Sequence, residues 1–382
     1  MTDLLNANIR KNEHLDPYNP FDNPMENPKY NMDYSEMFSE IDEKKKPALV
    51  PDAKEGRKIR KYYNIVGVVL LIFAFISNLL PVLALKGVYE AVKYSDTAAG
   101  IDTSAYSYYY NVMHHFTDDS SVSIAIVLII HVIFNVLTAF IGLKLIKVKP
   151  IELFAEPVRL KRRDVLKYVF TALGIQIILM YSMSALTGFL ASKDIDITRE
   201  SLCASTDVKA VILNIIYCCI VAPITEEFLF RGFAMKALSR VSQRFGIFMS
   251  AFLFGLAHGN IVQMVSGFII GILMGYVDVK HNSLIPSIII HFAVNTFSCI
   301  VMYTNMMSGS AGHFVQYFVS GITIVLLFVG IVSFLFTLRT DRIPYNTPEQ
   351  SMRSSGMVIK SLGLVLLIAA DIAFMVLGYI LK

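Results

Sequence analysis

The chain is 382 residues long, 55% apolar and only 17% charged, with a mean hydropathy of +0.55. That apolar surplus exceeds what soluble domains can bury, so a soluble globular architecture is excluded. A net charge of +4 is too small to argue for a nucleic-acid partner. Because backbone polar groups in lipid must be satisfied within the segment, the composition predicts an all-α polytopic membrane bundle, about 8–9 transmembrane helices around a polar cavity.

Residues 1–61 are polar and mix acids with bases, and Asn-Pro recurs at Asn19-Pro20, Asn23-Pro24 and Asn27-Pro28. This reads as a flexible tail. The polar, acidic N-terminus gives no cleavable signal peptide, and Tyr379-Ile380-Leu381-Lys382 offers no cysteine to prenylate. A first span is expected over 62–85, then a loop over 86–121 with Tyr106, Tyr108, Tyr109 and Tyr110 and the pair His114 and His115. The tyrosines suit a membrane interface, and the two histidines lack the surroundings of a metal site.

The second span, 122–143, leads into the densest basic stretch, Lys144, Lys147, Lys149, Arg159, Lys161, Arg162, Arg163 and Lys167. Within it, Pro150 to Arg163 reads either as an amphipathic segment on the anionic leaflet or as an ordinary connector. The third span is 166–191, followed by a mainly acidic loop with Asp194, Asp196 and Glu200. A fourth begins near 208 and continues to about Arg244, and spans at 245–258, 261–279, 284–304, 315–338 and 357–380 complete the chain, with Arg339, Arg342 and Arg353 between the last two. These nine spans alternate without a sign conflict and place the N-terminus in the cytoplasm, in a membrane expected to be a bacterial cytoplasmic one. The turn at Gly259-Asn260 is so tight that the fifth span should be short or end inside the protein. Cys203, Cys218, Cys219 and Cys299 lack metal-ligand spacing and read as packing residues.

The polar residues that do not belong in lipid fall on three successive segments. Glu226, Glu227 and Arg231 close the fourth span's apolar run. On a helix Glu227 and Arg231 share a face and can pair, whereas Glu226 points about 100° away with no local cation and is free for chemistry. Phe254 and His258 lie on the fifth span, and His291 and Asn295, four apart on one face, on the seventh. At ~1.5 Å per residue, Glu226, His258 and Asn295 fall about 18–20 Å from the cytoplasmic ends of their helices, with His291 near 12 Å. One carboxylate, two imidazoles and an amide meet the needs of hydrolysis: Glu with His to deprotonate water, His291 with Asn295 to hold an oxyanion. The same set could instead bind a divalent metal such as zinc through His258, His291 and Glu226.

Glu226-Glu227-x-x-x-Arg231, Phe254-x-x-x-His258 and His291-x-x-x-Asn295 resemble, in order, the motifs of the CAAX-protease and bacteriocin-processing (CPBP, or Abi) family of intramembrane proteases. The resemblance covers about 208–300 and implies peptide-bond hydrolysis within the membrane, in the type II CAAX branch on a prenylated protein or peptide. It also implies Glu226 as the group that activates water with His258, His291 and Asn295 as oxyanion donors, and either a glutamate-dependent or a metalloprotease mechanism. The expected organisation is a tail over 1–61, N-terminal spans over 62–207, a catalytic core over 208–304 and C-terminal spans over 305–382. A non-catalytic scaffold or immunity factor on the same fold is the alternative, and an ion pathway is disfavoured because charges are not spread over several spans.

Overall fold

A computed structural model describes residues 53–100, 120–154, 162–197, 207–240, 242–341 and 356–380. The Asn-Pro repeat, the tyrosine run, His114 and His115, Cys203, Glu200 and the basic residues Arg159, Lys161, Arg342 and Arg353 lie outside them.

The described residues form an all-α bundle: α1 (Ala53–Ala98), α2 (Ser120–Ile146), α3 (Arg162–Ala191), α4 (Val208–Leu238), α5 (Gln243–Leu256), α6 (Ile261–His281), α7 (Ile285–Asn305), α8 (Gly309–Thr340) and α9 (Leu362–Ile380). Seven are long and apolar enough to cross a membrane, and α5 and α9 are shorter apolar helices. The short α5 follows from its ends. Ser242 caps it by accepting from the Phe245 N–H, and the chain turns at Ala257–Gly259 before Asn260 caps α6 by accepting from Val262 and Gln263.

The expected loop over 86–121 begins later than the hydropathy indicated, because α1 continues to Ala98. Beyond Gly87 the helix continues past the apolar run, with Glu90 between Lys86 and Lys93 at helical spacings and Thr97 bonded to the Lys93 carbonyl. Hydropathy marks where the lipid ends, not where the helix does.

The segment after α2 also departs from a leaflet-bound reading where it is described. Pro150–Phe154 forms a 3-10 turn whose Leu153 is fully buried, and the Leu153 carbonyl accepts from the N–H of Leu284 at the start of α7. An added Cβ on Gly232 would lie 2.9 Å from the Leu153 side chain, so a glycine on α4 makes room for this plug.

The second half of helix α4, Leu229 to Leu238, is buried, while Val208, Ile212, Ile216 and Ile220 of its first half are exposed, and the helix packs against α2, α5, α6 and α7. Its end is tied down by the Tyr63 hydroxyl, which donates to the Leu238 carbonyl, and by Arg240, which donates to the Ile146 carbonyl and lies over the Tyr62 ring. The outer helices pair across the chain, α1 with α9 and α3 with α8. Both pairs cross glycine on glycine, Gly67 with Gly363 and Gly174 with Gly330, where any Cβ would collide with the opposite backbone.

Candidate active site

Helix α4 is not a regular α-helix. Between its α-helical start and the turn Ala222–Glu227 lies a π-helical stretch, Tyr217–Val221, and beyond Glu227 a second one, Phe228–Met235. The paired carboxylates therefore stand between two widened turns, a feature frequent at functional sites. The first has a visible cause. The Ala222 N–H reaches five residues back to the Tyr217 carbonyl, but the next residue, Pro223, has no N–H to give to the carbonyl of Cys218. That donor comes from elsewhere: the Asn295 amide on α7 donates to Cys218 O at 2.8 Å.

Glu227 and Arg231 are completely buried and paired, Nη1 to Oε1 at 2.9 Å. The guanidinium also donates to the Gly271 carbonyl of α6 at 3.3 Å and lies 4.5 Å over the Phe254 ring. A Cβ on Gly271 would stand 2.9 Å from that guanidinium, so only glycine leaves room there. The pair thus ties α4, α5 and α6 together. It also reaches α7, because His291 Nδ1 lies 3.0 Å from the same Glu227 oxygen. With Oε1 held as a carboxylate by arginine, the hydrogen of this contact belongs to Nδ1, which orients the ring and turns Nε2 outward.

His291 Nε2 faces Glu226, 3.8 Å from Oε2. The Glu226 side chain is 20% exposed where that of Glu227 is 0%, so of the two neighbouring acids only Glu226 can meet water or substrate. His291 therefore bridges the buried acid and the accessible one. This is a different partnership from the sequence expectation, which joined His291 to Asn295.

His258 lies just beyond the end of α5, where its Nδ1 is 2.8 Å from the Phe254 carbonyl. As donor to that carbonyl the ring presents Nε2 as a lone pair. The Phe254 side chain stands edge-on to both imidazoles, 4.9 Å from His258 and 5.6 Å from His291. No hydrogen bond joins His258 to Glu226 among the described residues. The structure thus brings Glu226, Glu227, Arg231 and His291 into direct contact, sets His258 beyond Phe254, and directs Asn295 to the backbone.

Asp278 of α6 was not singled out from the sequence. It is fully buried, and its Oδ1 accepts from the backbone N–H of Ser287, one turn before His291. An acid inside the apolar run Ile261–His281 was the available signal. The suggested metal set His258, His291 and Glu226 does not converge, and no three His, Cys, Asp or Glu side chains among the described residues are grouped to hold a metal ion.

Fold and geometry define a class: a polytopic helical membrane protein with a carboxylate and imidazole site buried between its central helices. Residues 208–297 match the family model described as type II CAAX prenyl endopeptidase Rce1-like. Over that stretch the chain is similar to this family, and every motif residue from Glu226 to Asn295 falls within the match. Searches of curated proteins and of solved structures return no match.

Proposed function

We propose that this protein is an intramembrane endopeptidase in which Glu226 activates water for attack on a peptide carbonyl. The observation that carries the reading is the partly exposed Glu226 carboxylate beside the outward nitrogen of a histidine whose other nitrogen is anchored on the Glu227–Arg231 pair. A water between Glu226 and His291 Nε2 gives its proton to the carboxylate as its oxygen bonds to the carbonyl carbon. The C–N bond then breaks, and the leaving amine takes the proton back. In its protonated state His291 can donate from Nε2 to the oxyanion, with Glu227 facing the charge on Nδ1. His258 is assigned to water or substrate through its free Nε2.

The family points to a CAAX-type peptide or protein substrate in a membrane setting. An apolar groove of about 180 Å³, lined by Cys219, Ile220, Pro223, Ile224, Ile288 and Phe292 among others, flanks the site on α4 and α7 and supports a substrate with an attached hydrocarbon chain. The basic cluster Arg57, Lys58, Arg60 and Lys61 at the start of α1 supports a cytoplasmic N-terminus. The test is cleavage of a farnesylated CAAX peptide, and of the same peptide without the lipid, by purified protein in liposomes. Glu226→Gln should abolish cleavage while the melting temperature is retained. Full activity of that variant sinks the assignment, and equal cleavage of both peptides removes the lipid requirement.

The engagement of Asn295 by the Cys218 carbonyl favours a second reading, a scaffold that uses the same residues for packing. It predicts that Glu226→Gln leaves the biological function intact.

A further inference from the structure

Where α1 enters the bundle, far in sequence from the domain over 208–297, a cavity of about 530 Å³ opens between the start of α1, the end of α2 and the approach to α9. Four cations line it, Arg57, Arg60 and Lys61 from α1 and Lys360 from just before α9, with no carboxylate among the described lining residues. Its remaining wall is mostly apolar and includes Ile65, Val68 and Leu145. Basic residues before a span are ordinary, but here cations some 300 positions apart in the chain converge on one space.

The convergence is built into the packing. Gly67 and Gly363 let α1 and α9 touch backbone to backbone, and Asn64 Oδ1 accepts from the Gly363 N–H at 2.9 Å, which fixes Lys360 at the rim. The apolar span of α1 begins at Ile59, so the cations lie at the level where hydrocarbon meets headgroups. Ile65 and Val68 lie deeper along α1, Leu145 stands at the end of the α2 span, and Val68 and Leu145 are each 47% exposed on the outside of the bundle. A cationic rim over an apolar wall at that depth complements one kind of molecule, an amphiphile with an anionic head and hydrocarbon tails.

We propose that this cleft is a binding site for an anionic phospholipid of the adjacent leaflet, its phosphate held among Arg60, Lys61 and Lys360 and an acyl chain lying on Val68 and Leu145. Occupied, it joins α1 to α9 beside their glycine crossing. The lipid therefore stabilises the bundle and does not take part in hydrolysis.

The test uses the full chain in neutral detergent, titrated with phosphatidylglycerol, phosphatidylcholine or inorganic phosphate, with melting temperature and lipid retention in native mass spectrometry as readouts. Phosphatidylglycerol should raise the melting temperature saturably and be retained at one copy, while the other two should do neither. Replacing Arg60 and Lys360 by glutamine should weaken retention about thirtyfold, the change expected for two basic residues at an anionic surface. Leu145→Trp, which keeps every cation but obstructs the apolar wall, should also weaken it and so separates a built cleft from diffuse attraction. Equal effects of phosphatidylglycerol and phosphatidylcholine would overturn the proposal. So would an effect of inorganic phosphate alone, retention unchanged in both variants, or retention that appears only when residues 1–52, with their own acidic groups, are deleted.

Discussion

Glu226 and Glu227 are neighbours in sequence with opposite physical situations. Removing one partner of a buried ion pair leaves the other charge uncompensated, so Arg231→Met should cost about 3–5 kcal/mol, read as loss of folded protein in a denaturant titration. Glu226→Gln should leave that titration nearly unchanged while lowering the turnover of a cleaved peptide by about 10²–10⁴-fold. A common loss of stability in both variants would contradict the division of roles. The i,i+4 spacing made the Glu227–Arg231 contact legible from sequence alone. The bridge from Glu227 through His291 to Glu226 was not, because it depends on the rotation of α7 against α4 and no spacing within one helix encodes that. Asp278 went unnoticed because it stands outside any motif, although a lone acid in an apolar run is itself a signal.

For helix α4, the informative quantity is where the backbone ladder is interrupted. Pro223 withholds an N–H, the turn before it widens, and Asn295 gives its amide to the Cys218 carbonyl. Leaving a fully buried carbonyl unsatisfied costs about 1–3 kcal/mol, and the Cys218 carbonyl is part-buried, so Asn295→Ala should destabilise by about 1 kcal/mol, the low end of that range. Pro223→Ala supplies a backbone donor and should recover part of the loss. A double-mutant cycle measured by unfolding in detergent should therefore show coupling, and simple additivity would refute the link. The seven long apolar helices and the shorter α5 and α9 were readable from hydropathy because each apolar run among the described residues is bounded by charge or turn residues. The widened turns were not, since a regular 1.5 Å rise was assumed and a proline alone does not say whether a helix kinks, ends or loosens. The continuation of α1 to Ala98 escaped for a different reason: the polar turns that follow its apolar run carry charges at helical spacings, which hydropathy does not register.

Taken whole, the bundle is held together at its basic end by Asp341 at the end of α8. It accepts from Lys167 and Tyr168 of α3 at 2.8 and 2.5 Å, and Lys280 of α6 lies 3.1 Å away. Burial pushes this carboxyl up, but the hydrogen bonds from Lys167, Tyr168 and Lys280 outweigh it and hold it well below the usual carboxylate range. Its folded value lies below its unfolded one, so its contribution is complete above the ordinary aspartate range, about pH 3.9, and is lost as the pH falls toward the folded value. Asp341→Asn should accordingly be less stable at neutral pH and show a flatter decline in melting temperature below about pH 4, measured in detergent across a pH series. Equal acid slopes for the two proteins would exclude this role.

The glycine crossings also impose an order in time. Gly67 meets Gly363 and Gly174 meets Gly330, so two of the earliest helices to leave the ribosome have their closest partners among the last. Until α8 and α9 are made, the bare backbone stripes on α1 and α3 lack those partners, and the helices of the candidate site emerge between them with their fence incomplete. A chain cut after Asn305 should contain every residue of the candidate site and yet be cleared by membrane proteases faster than the full chain, as measured by pulse-chase. Completion of synthesis would then be the event that makes the protein durable.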